Sequence, residues 1–138
     1  MRIGRWLLVP AGVVLVGAAL LAYRSRPDAL AMQALGTTRL PASVRVEACK
    51  GWGLTDVLYT CRLSLDPDDL PMLLSRRRWT ATSASGPSHS FASGPKVGED
   101  FQVAEGFTAT PPEFKNGGQV QLVLSLDHRR AQIDYYEE

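Results

Sequence analysis

The feature that most limits what this chain can fold into is an uninterrupted apolar run near its N-terminus. Residues 6–23 carry no charge and lie between Arg5 and Arg24. As a helix the run would be about 27 Å long, close to the thickness of the hydrocarbon core of a bilayer. Trp6 and Tyr23 stand at its two ends, where aromatic rings prefer the headgroup region. We therefore predict an N-terminal transmembrane helix that holds the chain in membrane lipid through residues 6–23.

The orientation of this helix follows from its flanks. Arg2 and Arg5 precede the run and Arg24 and Arg26 follow it, so the positive-inside rule gives only a slight bias. The short N-terminal tail and the long C-terminal part still favour an N-inside, C-outside arrangement. We expect a single-pass protein of the cell membrane whose C-terminal domain lies outside the cytoplasm, in the periplasm or the extracellular space.

A cleaved signal peptide is the main alternative to an anchor. Signal peptides have an apolar core of about 7 to 15 residues followed closely by a small-x-small site. This run is longer, and the first suitable site, residues 29–31, lies behind Arg24, Arg26 and Pro27. Cleavage after Ala31 would release a secreted, inhibitor-like module. A helix buried in a globular core is a third interpretation, which the length and extreme N-terminal position of the run disfavour.

Composition limits the remainder to one small domain. We divide the chain into an anchor over 1–23, a stalk or linker over 24–42 and an extracytoplasmic α+β domain over 43–138. The net charge is only +1, and no polybasic tract indicates a nucleic-acid partner. The chain has twelve Arg and three Lys, a ratio that we associate with a GC-rich bacterial genome.

The hydrophobic pattern after the apolar run predicts mostly strands. Apolar residues alternate with polar ones over 44–48 and 57–65, and again over 119–126 and 131–135, which indicates two hairpins. Residues 79–82 are a candidate for a further strand. Within the predicted stalk, Pro27 and Gly36 bracket a short helical pattern. The sequence thus predicts an antiparallel sheet of four or five strands.

One helix is predicted to pack on the apolar face of that sheet. Asp66 is a candidate N-cap, Pro67 suits the first position, and three leucines follow at helical spacing (Leu70, Leu73 and Leu74). Arg76–Arg78 would close the helix at the negative end of its dipole. The fold class is therefore α+β, with an N-terminal transmembrane helix preceding the sheet.

The segment after the third candidate strand looks like a long loop. Residues 83–100 are dominated by Ser, Gly, Pro and Ala, so they offer little to bury. We expect a mobile connector that contributes little to stability, with Phe91 as its one candidate binding anchor.

The two cysteines, Cys49 and Cys61, predict a disulfide because their number is even and the expected compartment is oxidising. Two buried free thiols are the alternative. Cys61 has the apolar parity of its strand, whereas Cys49 has the polar parity of its own. A disulfide therefore requires a bulge in the first strand, or Cys49 just beyond the ladder.

No motif predicts catalytic residues, a metal site or a cofactor. His89 lies between Ser88 and Ser90 in the 83–100 segment, and a Ser–His pair on a mobile loop without an orienting acid is not a triad. His128 lies beside Asp127 in a hairpin turn and is expected to be solvated. The candidate binding residues are instead Arg76, Arg77, Arg78 and Trp79, which could contact an anion, and Trp52 on a Gly-Trp-Gly turn. The alternative to binding for Arg76–Trp79 is a helix-end charge cluster with the tryptophan in the core.

The preferred functional hypothesis is a membrane-anchored extracytoplasmic domain that binds a protein or envelope component without catalysis. Its ligand is not specified by the sequence, and no nucleic-acid partner is expected. The alternative is a small hydrolase-like enzyme that uses the 83–100 loop. The secreted module described above is a variant of the binding hypothesis.

Overall fold

The computed structural model describes residues 15–20, 26–53 and 55–138. Residues 15–20 are helical, and most of the predicted membrane span over 6–23 lies outside the described residues. Within the described ranges, no helix is both long enough and apolar enough to cross a membrane.

The C-terminal part of the chain forms one seven-stranded antiparallel sheet. Its strands are β1 (Arg45–Trp52), β2 (Val57–Ser64), β3 (Thr80–Thr82), β4 (Gly86–Pro87), β5 (Gln102–Ala109), β6 (Gly118–Ser125) and β7 (Arg130–Glu137). The order across the sheet is β1-β2-β7-β6-β5-β3, and β4 pairs with β5 beyond the end of β3. The α+β sheet is therefore present, with seven strands instead of the four or five expected.

The strands missing from the sequence prediction are those with a broken alternation. In β5, the register with β6 shifts between Val103 and Glu105, so apolar residues do not recur at every second position along the strand. The two-residue β4 is too short to have any periodicity. Both predicted hairpins are present, as β1–β2 and β6–β7.

The predicted disulfide between Cys49 and Cys61 is present. The register of β1 against β2 shifts between Val46 and Ala48, which leaves Glu47 as an extra residue. After this bulge, Cys49 lies directly opposite Cys61. The bulge reverses the side-chain parity of the rest of β1, and this resolves the conflict between the two cysteines.

The first helix is α1 (Pro27–Leu35), which begins at a proline and ends at a left-handed Gly36. It contacts β1, β7 and β2, and its residues Ala31, Ala34 and Leu35 are completely buried in the main core. The 24–42 segment expected to be a stalk thus contributes a helix to the folded unit. Small alanines at the contact let the helix lie close to the sheet.

The second predicted helix begins as expected and ends early. Asp66 accepts a hydrogen bond from the backbone N–H of Asp68 (3.1 Å), which opens a 3₁₀ turn (Pro67–Asp69) and then α2 (Leu70–Leu74). Leu73 is buried in the main core. Because α2 has only five residues, Arg76–Arg78 lie after the helix and not in its last turn.

The opposite face of the sheet is covered by residues 83–101, which we call the covering segment. It contains β4 and a 3₁₀ turn (Ser88–Phe91), and it buries Ala84, Ser88 and Val97. Phe91 packs against a small second core that includes Phe101 and Val123. The expectation of a mobile connector was wrong, because polar side chains of the sheet bind the backbone of this segment.

Candidate functional site

The three consecutive arginines after α2 lie along a surface groove. The groove encloses about 690 Å³ and is lined by Gly36, Arg76–Arg78 and residues 109–113. We call it the arginine groove. One wall is the end of α1 with the arginine run, and the other is the connection from β5 to β6, where Pro111 is buried and Pro112 is exposed.

Arg77 turns inward and is held by the protein. Its Nε donates to the carbonyl oxygen of Ala34 (2.6 Å), and its Nη2 donates to the carbonyl oxygen of Gln33 (2.6 Å) and to Glu113 (2.9 Å). The side chain is only 5% exposed. These carbonyls belong to the last turn of α1, where the Gln33 oxygen also accepts from the Gly36 N–H (3.2 Å) and helical N–H donors run out. Arg77 therefore completes the C-terminal capping of a helix more than forty residues away.

Two neighbours are adapted to this contact. A Cβ at Gly36 would lie 3.0 Å from the Arg77 Nε, so glycine serves there both for its left-handed φ of 69° and for space. The hydrogen bond from Arg77 also lowers the pKa of Glu113, against a smaller opposing effect of burial. The Arg77–Glu113 pair thus ties the two walls of the groove together.

Arg76 and Arg78 flank this fixed residue and are both exposed. Neither has an ion pair among the residues that the structure describes. The predicted trio therefore separates into one structural arginine and two available ones. A planar guanidinium can bind a carboxylate or phosphate through two parallel hydrogen bonds, so the groove offers two such groups on a fixed backbone.

Of the two candidate tryptophans, Trp79 does not line the groove. Trp79 is partly buried and packs against the main core, and its indole nitrogen has no partner in the described part of the chain. Trp52 ends β1, where it pairs with Leu58, and its side chain lies outside what the structure describes. The interpretation of Trp79 as a core residue agrees with its packing.

His89 does have an acid partner. Its Nδ1 contacts Asp100, which also accepts hydrogen bonds from the His89 backbone N–H (2.9 Å) and the Ser88 hydroxyl (3.0 Å). Lys96 lies 3.3 Å from the same carboxylate. Desolvation raises the pKa of Asp100, but these hydrogen bonds outweigh it and hold the pKa well below its usual range.

This cluster lacks the order of a catalytic triad. The Ser88 hydroxyl donates to Asp100 and not to the histidine, and Ser88 is completely buried. A nucleophilic serine must be accessible and bonded to its base. The arrangement instead links the 3₁₀ turn to the C-terminal end of the covering segment, because it joins residues 88 and 89 to residue 100.

His128, at the β6–β7 turn, lies 3.8 Å from Glu105.

The sequence reasoning missed a row of buried polar residues beneath the covering segment. Thr60, Arg62, Gln132 and Asp134 lie on adjacent strands β2 and β7 and are at most 3% exposed. Arg62 donates to Gln132 (3.3 Å), to the carbonyl oxygen of Val97 (2.9 Å) and to the Ser88 hydroxyl (3.3 Å). Its guanidinium also lies 4.6 Å from the centre of the Phe101 ring.

These residues hold the covering segment and do not form an accessible site. Burial lowers the pKa of Arg62, and the nearby Asp100 opposes this effect. Their alternation with apolar neighbours was visible in the sequence, but that pattern is the same for a solvated face and for a covered one. No group of three or more His, Cys, Asp or Glu side chains in the described ranges could hold a metal ion.

The arginine groove is thus the best-formed candidate for binding. Its three arginines and its proline wall come from two separate parts of the chain, and Gly36 at the end of α1 contributes a third part of the lining. No protein-family model, no curated protein and no solved structure matches this chain.

Proposed function

We propose that this chain is a single-pass, membrane-anchored interaction domain that binds an anionic ligand in the arginine groove and has no catalytic role itself. The observation that carries the proposal is the pair of exposed arginines, Arg76 and Arg78, which lack ion pairs within the described residues and face a groove of about 690 Å³.

The fixed position of Arg77 supports binding at this place. Three hydrogen bonds hold its side chain, and its backbone sets the positions of both neighbours. A held backbone reduces the conformational entropy that Arg76 and Arg78 must lose on binding. Glu113, the acid in the groove lining, is already paired with Arg77, so it does not compete for the other two guanidinium groups.

The anchored location has independent support. Leu15, Val16 and Leu20 belong to the helical residues 15–20 and are between 58% and 70% exposed. Apolar side chains exposed to this extent suit a lipid environment better than water. A Cys49–Cys61 disulfide also fits a domain outside the cytoplasm. We therefore propose that the domain lies on the outer side of the cell membrane.

The position of α1 argues against the secreted module. Cleavage after Ala31 would cut this helix in the middle and separate Leu30 from the core that it helps to form. Fractionation with intact-mass measurement tests this point. We expect membrane retention with the N-terminus intact, and a soluble fragment beginning at Met32 would contradict the anchor.

Site-specific photo-crosslinking tests the binding function. A photoreactive phenylalanine at Thr110, which is exposed and lines the groove, should form an adduct in intact cells. The same group at Leu126, an exposed residue outside the groove lining, is the matched control. We expect the Thr110 adduct to disappear in the R76E/R78E variant. Absence of an arginine-dependent adduct would contradict the proposed function.

A further inference from the structure

A second groove adjoins the arginine groove at Arg76. This one encloses about 350 Å³ and is lined by residues 37–42 together with Met72, Leu73 and Arg76. Arg76 lines both grooves, so the two form one elongated surface along the end of α1 and the chain that follows α2. We call it the joint groove.

The joint groove is strongly biased in charge. Its lining contains four arginines and a single acid, Glu113, which is paired with Arg77. The other three arginines, Arg39, Arg76 and Arg78, are exposed and have no ion pair among the described residues. The surface therefore presents three separate cations and no available carboxylate.

One large apolar side chain lies among these cations. Met72 is 58% exposed in the second groove, beside the partly buried Leu40. Methionine is flexible and polarizable, and it packs well against apolar groups of different shapes. The joint groove thus combines charge along its length with one apolar contact.

We propose that the joint groove binds an extended acidic segment of a partner protein, which places carboxylates on Arg39, Arg76 and Arg78 and one apolar side chain on Met72. This inference rests on the proposed function and names the partner class for the same site. An elongated groove fits a peptide in extended conformation, whose successive side chains rise about 3.3 Å per residue. Complementary charge over the length of the segment gives both attraction and register.

A protein segment fits this surface better than a lipid headgroup. The joint groove lies at the C-terminal end of α1, where Gly36 lines it. In the sequence, the predicted anchor over 6–23 precedes the N-terminal end of this nine-residue helix, and the joint groove follows its C-terminal end. A single exposed methionine among polar residues is also unlike the continuous apolar face that inserts into an interface.

Fluorescence polarisation of the full-length protein in zwitterionic detergent micelles tests the inference. The probe is a fluorescein-labelled peptide of Asp and Glu with one central Leu, and the comparison peptides replace the Leu by Ser or all acids by Lys. We expect binding of the first peptide, weaker binding of the Ser peptide and no binding of the Lys peptide. The R76A/R78A variant should bind at least about 10-fold more weakly, as expected for two partly exposed charge-assisted contacts.

Two variants separate specific binding from general charge attraction. R129A removes an exposed arginine outside the joint groove. The affinity of this variant for the Leu peptide should stay within about 2-fold of that of the unmodified protein, because exposed charges outside the contact contribute little to binding. The M72S variant should bind the Leu peptide about 5-fold more weakly, because an apolar contact is lost. Its affinity for the Ser peptide should be unchanged. The thermal midpoint of each variant should match that of the unmodified protein.

The outcomes that overturn the inference differ from those that overturn the proposed function. Two results contradict an acidic protein segment as the partner. One is that the unmodified protein does not bind the acidic Leu peptide, and the other is that R129A and R76A/R78A lose the same amount of affinity for it. Arginine-dependent association with phosphatidylglycerol-containing micelles in place of the peptide would assign the surface to lipid. Either result leaves an arginine-dependent photo-adduct from Thr110 possible, whereas loss of that adduct contradicts the binding function as a whole.

Discussion

Replacement of Asp134 by alanine should detach the covering segment from the sheet, whereas replacement by asparagine should not. The Oδ1 atom of Asp134 accepts hydrogen bonds from the Thr60 hydroxyl (3.2 Å) and from the backbone N–H groups of Ser93 (2.9 Å) and Gly94 (3.3 Å). All three use the same oxygen. An asparagine carbonyl can keep every one of them, and alanine can keep none.

The expected loss of stability follows from the number of hydrogen bonds that Asp134 accepts. A buried donor left without a partner costs about 1 to 3 kcal/mol, and two of these donors are close enough to solvent to regain water, so we expect about 1 kcal/mol for each. D134A should therefore lose about 3 kcal/mol. D134N should stay within about 1 kcal/mol of the unmodified protein, because it also removes a charge that is costly to bury at 3% exposure.

Urea unfolding and limited trypsin digestion of the full-length variants measure the two consequences. With m-values of about 1 to 3 kcal/mol/M for small domains, D134A should lower the unfolding midpoint by about 1 to 3 M. Trypsin should cut after Lys96, whose side chain is 60% exposed, faster in D134A than in D134N. Equal stability and equal cleavage of the two variants would refute the argument that this single oxygen holds the segment.

Three further predictions concern the rest of the fold. The C49S/C61S variant should lose about 3 kcal/mol in chemical denaturation, as expected for a short closed loop, while unchanged stability would mean that the bridge adds nothing to the fold. Because the pKa of Glu113 is lowered by its bond to Arg77, its contribution is complete above its unfolded pKa and is lost as the pH falls through the folded pKa. The stability difference between the unmodified protein and E113Q should therefore be largest near neutral pH and shrink below about pH 4, and a constant difference in pH-dependent melting would contradict it. Gly118→Ala should destabilise by about 2 kcal/mol or more, since this residue has φ of 121° and a Cβ would lie 2.2 Å from a carbonyl oxygen of β7, whereas a melting temperature equal to that of the unmodified protein would argue against this strain.

The local sequence predicted those elements that carry their own pattern. The β1–β2 and β6–β7 hairpins follow from alternation, α1 from its terminal proline and glycine, and the turn before α2 from the capping Asp66. Each of these depends on residue type and spacing within one element or within two consecutive elements. Even the disulfide could be inferred, and of the two arrangements that the parity of Cys49 allowed, the structure has the bulge, at Glu47.

The sequence also identified the arginine run without distinguishing its members. Arg76, Arg77 and Arg78 are chemically identical, and what separates Arg77 is a pair of carbonyls in α1 and a carboxylate in the β5–β6 connection. Those partners are distant along the chain, so local pattern cannot reveal them. The same holds for the groove, whose walls come from parts of the chain that only the sheet brings together.

By itself, then, the sequence determined the periodic elements, the cysteine pair and the apolar N-terminal run, because these depend on residue type and spacing alone. The tertiary structure decided the fate of the covering segment, whose Ser, Gly and Pro composition is the same in a mobile loop and in a packed one. It is packed because Arg62, Gln132 and Asp134 satisfy its backbone groups from the sheet. Those hydrogen bonds join residues 35 to 44 positions apart in the sequence. At this separation, composition and spacing do not show which donor will bind which acceptor.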